Sequence, residues 1–515
     1  MSARRSAWQS GLGLSILAKN SLDRDITADV CVIGAGITGL LVALELSERG
    51  RSVVVLEREG VGAGETAAST AHLTTLLDTR YFALAAMHGA EAARLVATSH
   101  MRGIAHLERV ANAYGIECDF RRVSGFLCAD ESQRDLLARE HAAVTDAGIS
   151  CELVRRSPIS LGSGPALHVP HQAELDPLSL LNGVVRALER EDVPIYAPAI
   201  VQSFDAVSAT DQVGVTTSDG HTVHAKHVVV ATNSPINDIV AMHTKQAPYR
   251  TYVLAFALPE LVPALFWDLD EPYHYVRTGT DVATGRPVLI VGGEDHKVGQ
   301  GPDGDQSFER LEAWLRERVP AAGKVLASWS GQVLETSDGL GFIGRNPGQE
   351  RVFIATGFSG NGMSYAGLAA ELIPDLIAGV ESRYSELYDP ARKPTSLSAL
   401  GRFVRENLNV AAQYTDWIGP GDAARVEDIP RGEGAVLRRG LARLAVYVDP
   451  NGFAHELSAS CPHLGGVVAW NASEKSWDCP CHGSRFDCYG KVLTGPAVSD
   501  LEPAARASVK PAKTA

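Results

Sequence analysis

The chain lacks a basic surplus, a long apolar run, an internal repeat and a low-complexity tract. Its 61 Asp and Glu against 47 Lys and Arg give a formal net charge of −14, which leaves no basic stripe to neutralise phosphates and argues against a nucleic-acid partner. No run of 18 apolar residues occurs, so no membrane span is expected. Arg4 and Arg5 ahead of Gly11 to Ala18 have the outline of a twin-arginine export signal. The apolar part is short, broken by glycine and followed by no small-residue cleavage site, so the expectation is a cytoplasmic protein with residues 1–28 as an N-terminal arm. Cysteines are few. Cys31, Cys118, Cys128 and Cys151 lie scattered, as reduced residues of a cytoplasmic chain would, whereas Cys461, Cys479, Cys481 and Cys488 crowd together and need another explanation.

With 515 residues, 45% of them apolar, the chain can bury large cores, and its length suggests two to four domains. Asp29 to Leu46 followed by Ser52 to Glu57 reads as strand, glycine turn, helix and second strand. Gly34 allows a tight turn, Gly36 lets the backbone approach a pyrophosphate, and Gly39 lets the helix pack closely on the strand. Ile37 and Thr38 open the helix, whose positive N-terminus suits the pyrophosphate. Glu57 ends the second strand 18 residues past Gly39, where a carboxylate that holds ribose hydroxyls is expected, with Arg58 beside it. No second fingerprint of this kind occurs, which argues against a pyridine-nucleotide-dependent reductase.

Gly60 to Thr74 is a small-residue loop that can pass close to a cofactor, and it suits a flavin better than a nicotinamide; Thr70 and His72 are its candidate contacts. Helical periodicity spans about Phe82 to Tyr114, a strand is expected at Arg122 to Cys128, and an exposed helix at Glu131 to Ala147. Asp176 reads as N-cap and Pro177 as first residue of a helix reaching about Arg190. Asp219-Gly220 between Val213–Thr217 and His221–Ala231 signals a hairpin. From Tyr249 to about Ser330 aromatic and β-branched strands predominate, with one helix near Phe308 to Val319. Arg351 to Gly362 repeats strand, glycine loop and helix, so Gly357, Gly360, Asn361, Gly362 and Met363 could supply a second helix N-terminus near a flavin ring. These signals divide the chain into an oxidoreductase domain at 29–385 and a linker arm at 386–420, with a helix at Leu397 to Gln413. A compact strand-rich domain follows at 421–515. Within the first domain, cofactor-binding segments are expected near 29–80, 176–240 and 335–380, and a substrate-capping sheet near 245–334.

Cys461-Pro-His463 and Cys479-Pro-Cys-His482, with 15 residues between His463 and Cys479, form two Cys-His pairs. That is the ligand set of a Rieske [2Fe–2S] centre, in which two thiolates hold one iron and two neutral imidazoles the other. A zinc site is the alternative that Cys₂His₂ also allows. The double glycine after His463, the Cys-His-Gly-Ser run and Gly495-Pro496 favour the Rieske reading. Over about Arg425 to Leu501 the sequence closely resembles the Rieske domain family. High-potential members carry a cysteine five residues after the first ligand, bonded to the one between the second ligand pair. Here Gly466 stands in that place and Cys481 has no evident partner. The resemblance implies that Ser484 hydrogen-bonds a bridging sulfide, and Phe486 stands where those members often have tyrosine. Fewer hydrogen bonds imply a lower potential.

Residues from about Asp29 to Gly379 resemble the D-amino-acid oxidase, glycine oxidase and sarcosine oxidase superfamily. The resemblance rests on Gly34, Gly36, Gly39, Glu57, the Gly62 to Thr74 loop, Asp176-Pro177, Ala231-Thr-Asn233, Asp338-Gly339, Phe342-Ile-Gly344 and Ala355 to Gly362. Within that superfamily the chain is most similar to bacterial members fused to a C-terminal Rieske domain. This implies an α/β Rossmann-type FAD-binding domain with an α+β substrate-capping sheet and a small all-β Rieske domain. It also implies FAD, and hydride transfer to flavin N5 from a carbon bearing nitrogen. Ser69-Thr-Ala-His72 resembles the dimethylglycine and sarcosine dehydrogenase branch, where a histidine is attached to the flavin methyl; an uncoupled histidine lining the pocket is the alternative.

Tyr249, Arg250 and Tyr252, then Tyr275 and Arg277, are candidate substrate contacts, with His72, Tyr249 and Arg250 the catalytic candidates. An arginine there could hold a carboxylate by two parallel hydrogen bonds, or could simply lie at a strand edge. No arginine stands where amino-acid oxidases use one, which argues against an α-amino acid. His296 and Lys297 follow a Gly-Gly and either approach the site or form a solvated turn. The expected function is FAD-dependent oxidation of a small amine or (N-substituted) amino acid, with a Rieske relay to an external electron acceptor. The alternatives are an electron-transfer protein serving a partner oxygenase, and a cluster that is structural or redox-sensing.

Overall fold

The computed structural model describes residues 5–11, 20–206, 211–236, 242–260, 262–281, 284–301, 304–394 and 396–504. Most of the stretch with the outline of an export signal lies outside the described residues. Two compact units result: Met1–Lys297 with Asp305–Asn407, and Val298–Gly304 with Leu408–Ala515. No helix among the described residues is long and apolar enough to cross a membrane.

The first unit is built on a sheet whose centre is Ile26–Ile33, parallel to Val53–Leu56 on one side and to Thr222–Val230 on the other. Ile195–Tyr196 and Val352–Thr356 extend it in parallel, and Phe342–Arg345 closes one edge antiparallel. Its inner strands are apolar on both faces, one covered by helices and the other by Val201, Phe204, Val213 and Val215 of an antiparallel strand pair. The expected hairpin is present: Val213–Thr217 pairs antiparallel with Thr222–Val230, and Gly220 takes the positive φ of +84° that the turn requires. Asp176 caps the helix Pro177–Arg190, accepting from the amides of Leu178 and Ser179.

Two helical expectations are refined. The stretch near Phe82 to Tyr114 is two helices, Tyr81–His88 and Ala90–Ala113, because Gly89 at φ +88° breaks the helical path. The expected Glu131 to Ala147 helix starts as a single tight turn at Glu131–Gln133 and continues as Arg134–Asp146. Ala90–Ala113 crosses Gly362–Ile377 at glycines: a Cβ on Gly103 would lie 2.1 Å from the Ser364 carbonyl oxygen, and one on Gly367 2.1 Å from that of Gly103.

The second sheet runs in the order Val325–Thr336, Gln246–Ala257, Pro287–Lys297, Tyr275–Thr280, Ala264–Trp267, Arg121–Cys128, Ala166–Glu174, His72–Leu73, with Glu152–Val154 paired to Ala166–Glu174. It is therefore not confined to the expected 245–334 stretch. Ala264–Trp267 pairs in parallel with Arg121–Cys128, a long-range join that no local pattern signals. Side chains alternate between its faces. Val253, Ala255, Leu265, Ile290 and Trp329 face the main core. Leu254, Phe256, Phe266 and Leu289 face the other way, against Phe308, Leu311 and Leu315 of the helix Gly304–Arg318.

The second unit holds two antiparallel sheets. Glu433–Arg439, Ala442–Val448 and Ala454–Ser458 form one sheet; Ala469–Asn471, Ser476–Asp478, Arg485–Asp487 and Val492–Thr494 form the other. Trp477 and Phe486 are fully buried in its core. The expected arm is a helix, Leu397–Gln413, followed by a tight turn at Tyr414–Trp417.

Candidate functional site

The glycine turn is sterically closed to any larger residue. Gly34 has φ +106°, and a Cβ there would lie 2.5 Å from the Ala231 carbonyl oxygen; a Cβ on Gly39 would lie 2.0 Å from that of Gly34. Gly36 is the N-cap of the helix Ile37–Glu48 and offers no side chain, so the positive helix end is left open to an anion on that side. The Ile37 amide donates to Thr66 Oγ1 at 3.0 Å, tying the turn to the small-residue loop. Thr38 lies half-buried one residue further in. Glu57 bends back to the turn: its Oε2 accepts from the Ala35 amide at 2.8 Å and its Oε1 from Glu59 at 3.0 Å. Arg58 is half-buried beside it, 3.8 Å from Glu59. Bare helix amides next to a poised carboxylate fit the pyrophosphate and ribose of a dinucleotide.

The loop Gly60–Thr74 is stitched to neighbouring elements. Trp8 donates to the Ser69 carbonyl at 2.7 Å and Trp329 to the Ala68 carbonyl at 2.8 Å, while the Gln332 amide donates to Glu65 at 2.7 Å. Thr70 Oγ1 lies 3.0 Å from His72 Nδ1. His72 is buried, with its ring 5.6 Å from Trp267 and edge-on to Tyr275 at 5.4 Å. Burial first, and the Arg277 charge second, push its imidazole down to about 3, so it is neutral. Its Nε2 makes no hydrogen bond of normal geometry.

The loop exit meets the second glycine turn. Asp78 Oδ2 accepts from Ser359 Oγ at 2.7 Å and from the Gly360 amide at 2.8 Å, and Asn361 donates to the Leu76 carbonyl at 3.2 Å. Gly357 takes φ +72°, and Gly362 and the buried Met363 begin the helix Gly362–Ile377.

The core-facing side of the second sheet carries Tyr249, Thr251, Tyr275, Asp295 and Glu335. Thr251 Oγ1 lies 2.8 Å from the Tyr275 hydroxyl. Tyr275 lies across Gly292, where a Cβ would sit 2.1 Å from its ring. Burial raises the Asp295 carboxyl to about 8, with Glu335 and Asp78 adding repulsion. Burial likewise raises Glu335 to about 7, with Asp78 and Glu406 opposing its charge. The Tyr249 phenol is pushed well above its usual range by burial and by Glu335.

The candidate arginines do not join this group. Alternation puts Arg250 and Tyr252 on the opposite face from Tyr249. Arg250 donates there to Ser330 Oγ at 2.6 Å, and Tyr252 stacks on His296 at 5.3 Å. Arg277 is fully buried and committed: one guanidinium nitrogen reaches the carbonyls of Thr70, Ala71 and Leu175 at 2.9, 3.0 and 3.1 Å, and Nε lies 3.4 Å from Glu174. It is a strut beneath the loop. Lys297 is ion-paired with Glu406. Asp78, Asp295 and Glu335 were missed by the sequence reading. Asp295 alone carried a signal, the Gly292-Gly293 pair just before it.

In the second unit the four ligand candidates form two pairs. The thiols of Cys461 and Cys479 hydrogen-bond one another, and the rings of His463 and His482 stand perpendicular with centroids 5.0 Å apart. Burial lowers both imidazoles to about 4, with His482 also acting on His463, so both are neutral and ready to bind metal. Ligand atoms around a single ion must lie close together, yet among the described residues only Asp268, Asp270 and His274 bring three within 4.8 Å of one another. Cys461, His463, Cys479 and His482 thus fit two irons, not one zinc. Ser484 hydrogen-bonds the Cys461 thiol and accepts from the Ala497 amide at 3.0 Å. A Cβ on Gly466 would lie 2.5 Å from Cys481 Sγ, so the place of the missing cysteine is indeed beside Cys481. Tyr414 and Trp417 donate to the carbonyls of Leu464 and Gly465 at 2.8 and 3.0 Å, and Gln300 donates to that of Pro480 at 3.1 Å.

Residues 29–376 match the family model described as FAD dependent oxidoreductase, and residues 420–505 the Rieske [2Fe-2S] domain. A putative Rieske 2Fe-2S iron-sulfur protein of Bacillus subtilis (strain 168), YhfW, is 30% identical over 486 residues, covering 94% of each chain. Gamma-glutamylputrescine oxidoreductase of Escherichia coli (strain K12) is 27% identical over 384 residues, covering 71% of this chain and 87% of its own. Glycine oxidase from Geobacillus kaustophilus shares the fold, with a TM-score of 0.58 at 19% identity over 72% of this chain and 99% of that one. The glycine cradle, the two-pair ligand set and these matches agree: the chain belongs to the FAD dependent oxidoreductase family, uses FAD, and carries a Rieske [2Fe–2S] domain alongside it.

Proposed function

We propose that the chain oxidises a C–N bond of a small amine or N-substituted amino acid and passes the electrons singly, through its Rieske centre, to an external acceptor. The observation that carries this is the convergence of Thr70 and His72 with Tyr275, Thr251 and Asp295 on one sheet face, in the same unit as the glycine cradle. Relatives named for gamma-glutamylputrescine and glycine point the same way. FAD supplies a two-electron acceptor and the cluster a one-electron carrier when bound.

In this reading Gly34, Gly36 and Gly39 admit the pyrophosphate to the helix start at Ile37 and Thr38, where Thr66 already holds the Ile37 amide. Glu57 takes the ribose hydroxyls, with Arg58 beside it. Gly357, Gly360, Asn361, Gly362 and Met363 present the second helix start to the ring system, and Thr70 and His72 line it. His72 stays neutral beside the ring, Tyr249 borders the substrate, and Arg250 has no part. Cys461 and Cys479 hold one iron, His463 and His482 the other. The two working domains are 29–385 and 421–515. None of the eight cysteines is in a disulfide, which suits the cytoplasm.

An anaerobic screen of amines and amino acids, following flavin absorbance and the reduced-cluster EPR signal together, tests the proposal. Bleaching by one compound followed by growth of the cluster signal is expected. Reduction only by a protein donor would instead make the chain an electron-transfer component.

A further inference from the structure

Four consecutive backbone carbonyls of the small-residue loop, those of Ala68, Ser69, Thr70 and Ala71, are each held by a buried side chain from elsewhere in the sequence. Trp329 donates to Ala68 at 2.8 Å, Trp8 to Ser69 at 2.7 Å, and one Arg277 nitrogen to Thr70 and Ala71 at 2.9 and 3.0 Å. Trp329 and Arg277 lie inside the 29–376 family match, whereas Trp8 lies ahead of it. The short helix Ala7–Gly11 carries Trp8, which is 2% exposed and packs in the main core. Trp8 also acts a second time. Its ring lies 5.3 Å from the Arg277 guanidinium, so it caps the side chain that holds the next two carbonyls.

These bonds hold a strained turn. Ala71 takes φ +53°, a conformation that alanine rarely adopts, and its amide donates to the Ser69 hydroxyl at 3.0 Å. Ala71 separates Thr70 from His72, the two loop residues assigned to the flavin ring, and Thr70 Oγ1 lies 3.0 Å from His72 Nδ1. Backbone in such a region persists only where its surroundings over-determine it, and a relaxed Ala71 would change the direction in which Thr70 and His72 point.

We infer that the N-terminal arm is part of the flavin site, with Trp8 a positioning residue that keeps the turn at 69–72 in its flavin-binding form. The inference goes beyond the amine-oxidising reading and rests only on the assignment of this loop to FAD. Docking and binding are then linked: FAD favours the docked arm by the same factor by which the docked arm favours FAD.

The test titrates FAD calorimetrically into the full chain prepared without flavin, comparing wild type with Trp8→Ala, Trp8→Phe and His72→Ala. Trp8→Ala is expected to raise the FAD dissociation constant at least about tenfold, and Trp8→Phe, which keeps a ring over Arg277 but has no N–H, about threefold. The rise in Tm on adding FAD should shrink in the same order. A Trp8→Ala chain that melts earlier yet binds FAD like the wild type overturns the inference and leaves Trp8 as core packing. A Trp8→Phe chain with unchanged affinity overturns it too, and decides the matter even if the alanine variant does not fold. His72→Ala tells the two failures apart, because it weakens FAD binding if the loop lines the flavin, whatever Trp8 does. If His72→Ala and both Trp8 variants leave the constant unchanged, the assignment of the loop to FAD falls together with the inference.

Discussion

The Rieske ligand loops and the acidic sheet face are built on opposite electrostatic terms. In the former, buried groups are neutral: thiols bond one another, both imidazoles are held below their usual range, and backbone carbonyls are tied down by Tyr414, Trp417 and Gln300. In the latter, half-buried carboxylates crowd one another, and both Asp295 and Glu335 are held well above theirs. A site that keeps a permanent metal centre can be satisfied from its own loops. A site that must admit and release a substrate retains unmet demand, a local conflict of the sort that marks function.

The largest effect that would sharpen this contrast is at the metal. Cys479→Ser removes a thiolate ligand, and iron content and the reduced-cluster EPR signal are expected to vanish while bound FAD remains. Loss of FAD in the same variant would show that the two units depend on each other. Next comes the strut. Arg277→Met strips donors from three buried carbonyls and leaves Glu174 facing only Arg121, so thermal unfolding should report a loss of about 3–5 kcal/mol. Arg250→Met, on the far face, should leave the half-saturating substrate concentration unchanged, and a large rise would restore it as a substrate contact.

A smaller effect follows from pH. The folded-state Asp295 carboxyl is raised from the ordinary 3.8 to about 8, so ionising it opposes folding. The contribution of Asp295 to stability without substrate should therefore be most favourable below about pH 4 and decline as pH rises toward 8, with Glu335, Asp78 and Glu294 as the facing groups. Asp295→Asn should flatten that decline, raising Tm at pH 8 more than at pH 5; an unchanged slope would mean the carboxylate is not repelled. The smallest is Trp417→Phe, which removes one hydrogen bond to the Gly465 carbonyl and should lower cluster retention on heating by about 1 kcal/mol.

Legibility followed the distance along the chain over which each site is assembled. The glycine cradle and the Cys-His pairs each lie within a few tens of residues and carry their chemistry in spacing, so Gly34, Gly39, Cys461 and His482 could be read directly. The acidic face draws on residues 72, 251, 275, 295 and 335, brought together by strand pairings no local pattern encodes. Arg250 was grouped with Tyr249 although neighbours on a strand cannot share a face, and the apolar run Tyr252, Leu254, Phe256 already marked its side. Arg277 looked like a substrate contact because its carbonyl partners come from the flavin loop and from Leu175, far away in sequence.

The most direct measurement is a single-mixing anaerobic experiment with small amines and N-substituted amino acids that follows flavin absorbance and reduced-cluster EPR in the same sample. The account predicts that the flavin bleaches first and the cluster signal then grows, at a rate independent of protein concentration. A flavin that stays oxidised, or a cluster that remains silent while the flavin is fully reduced, would contradict it.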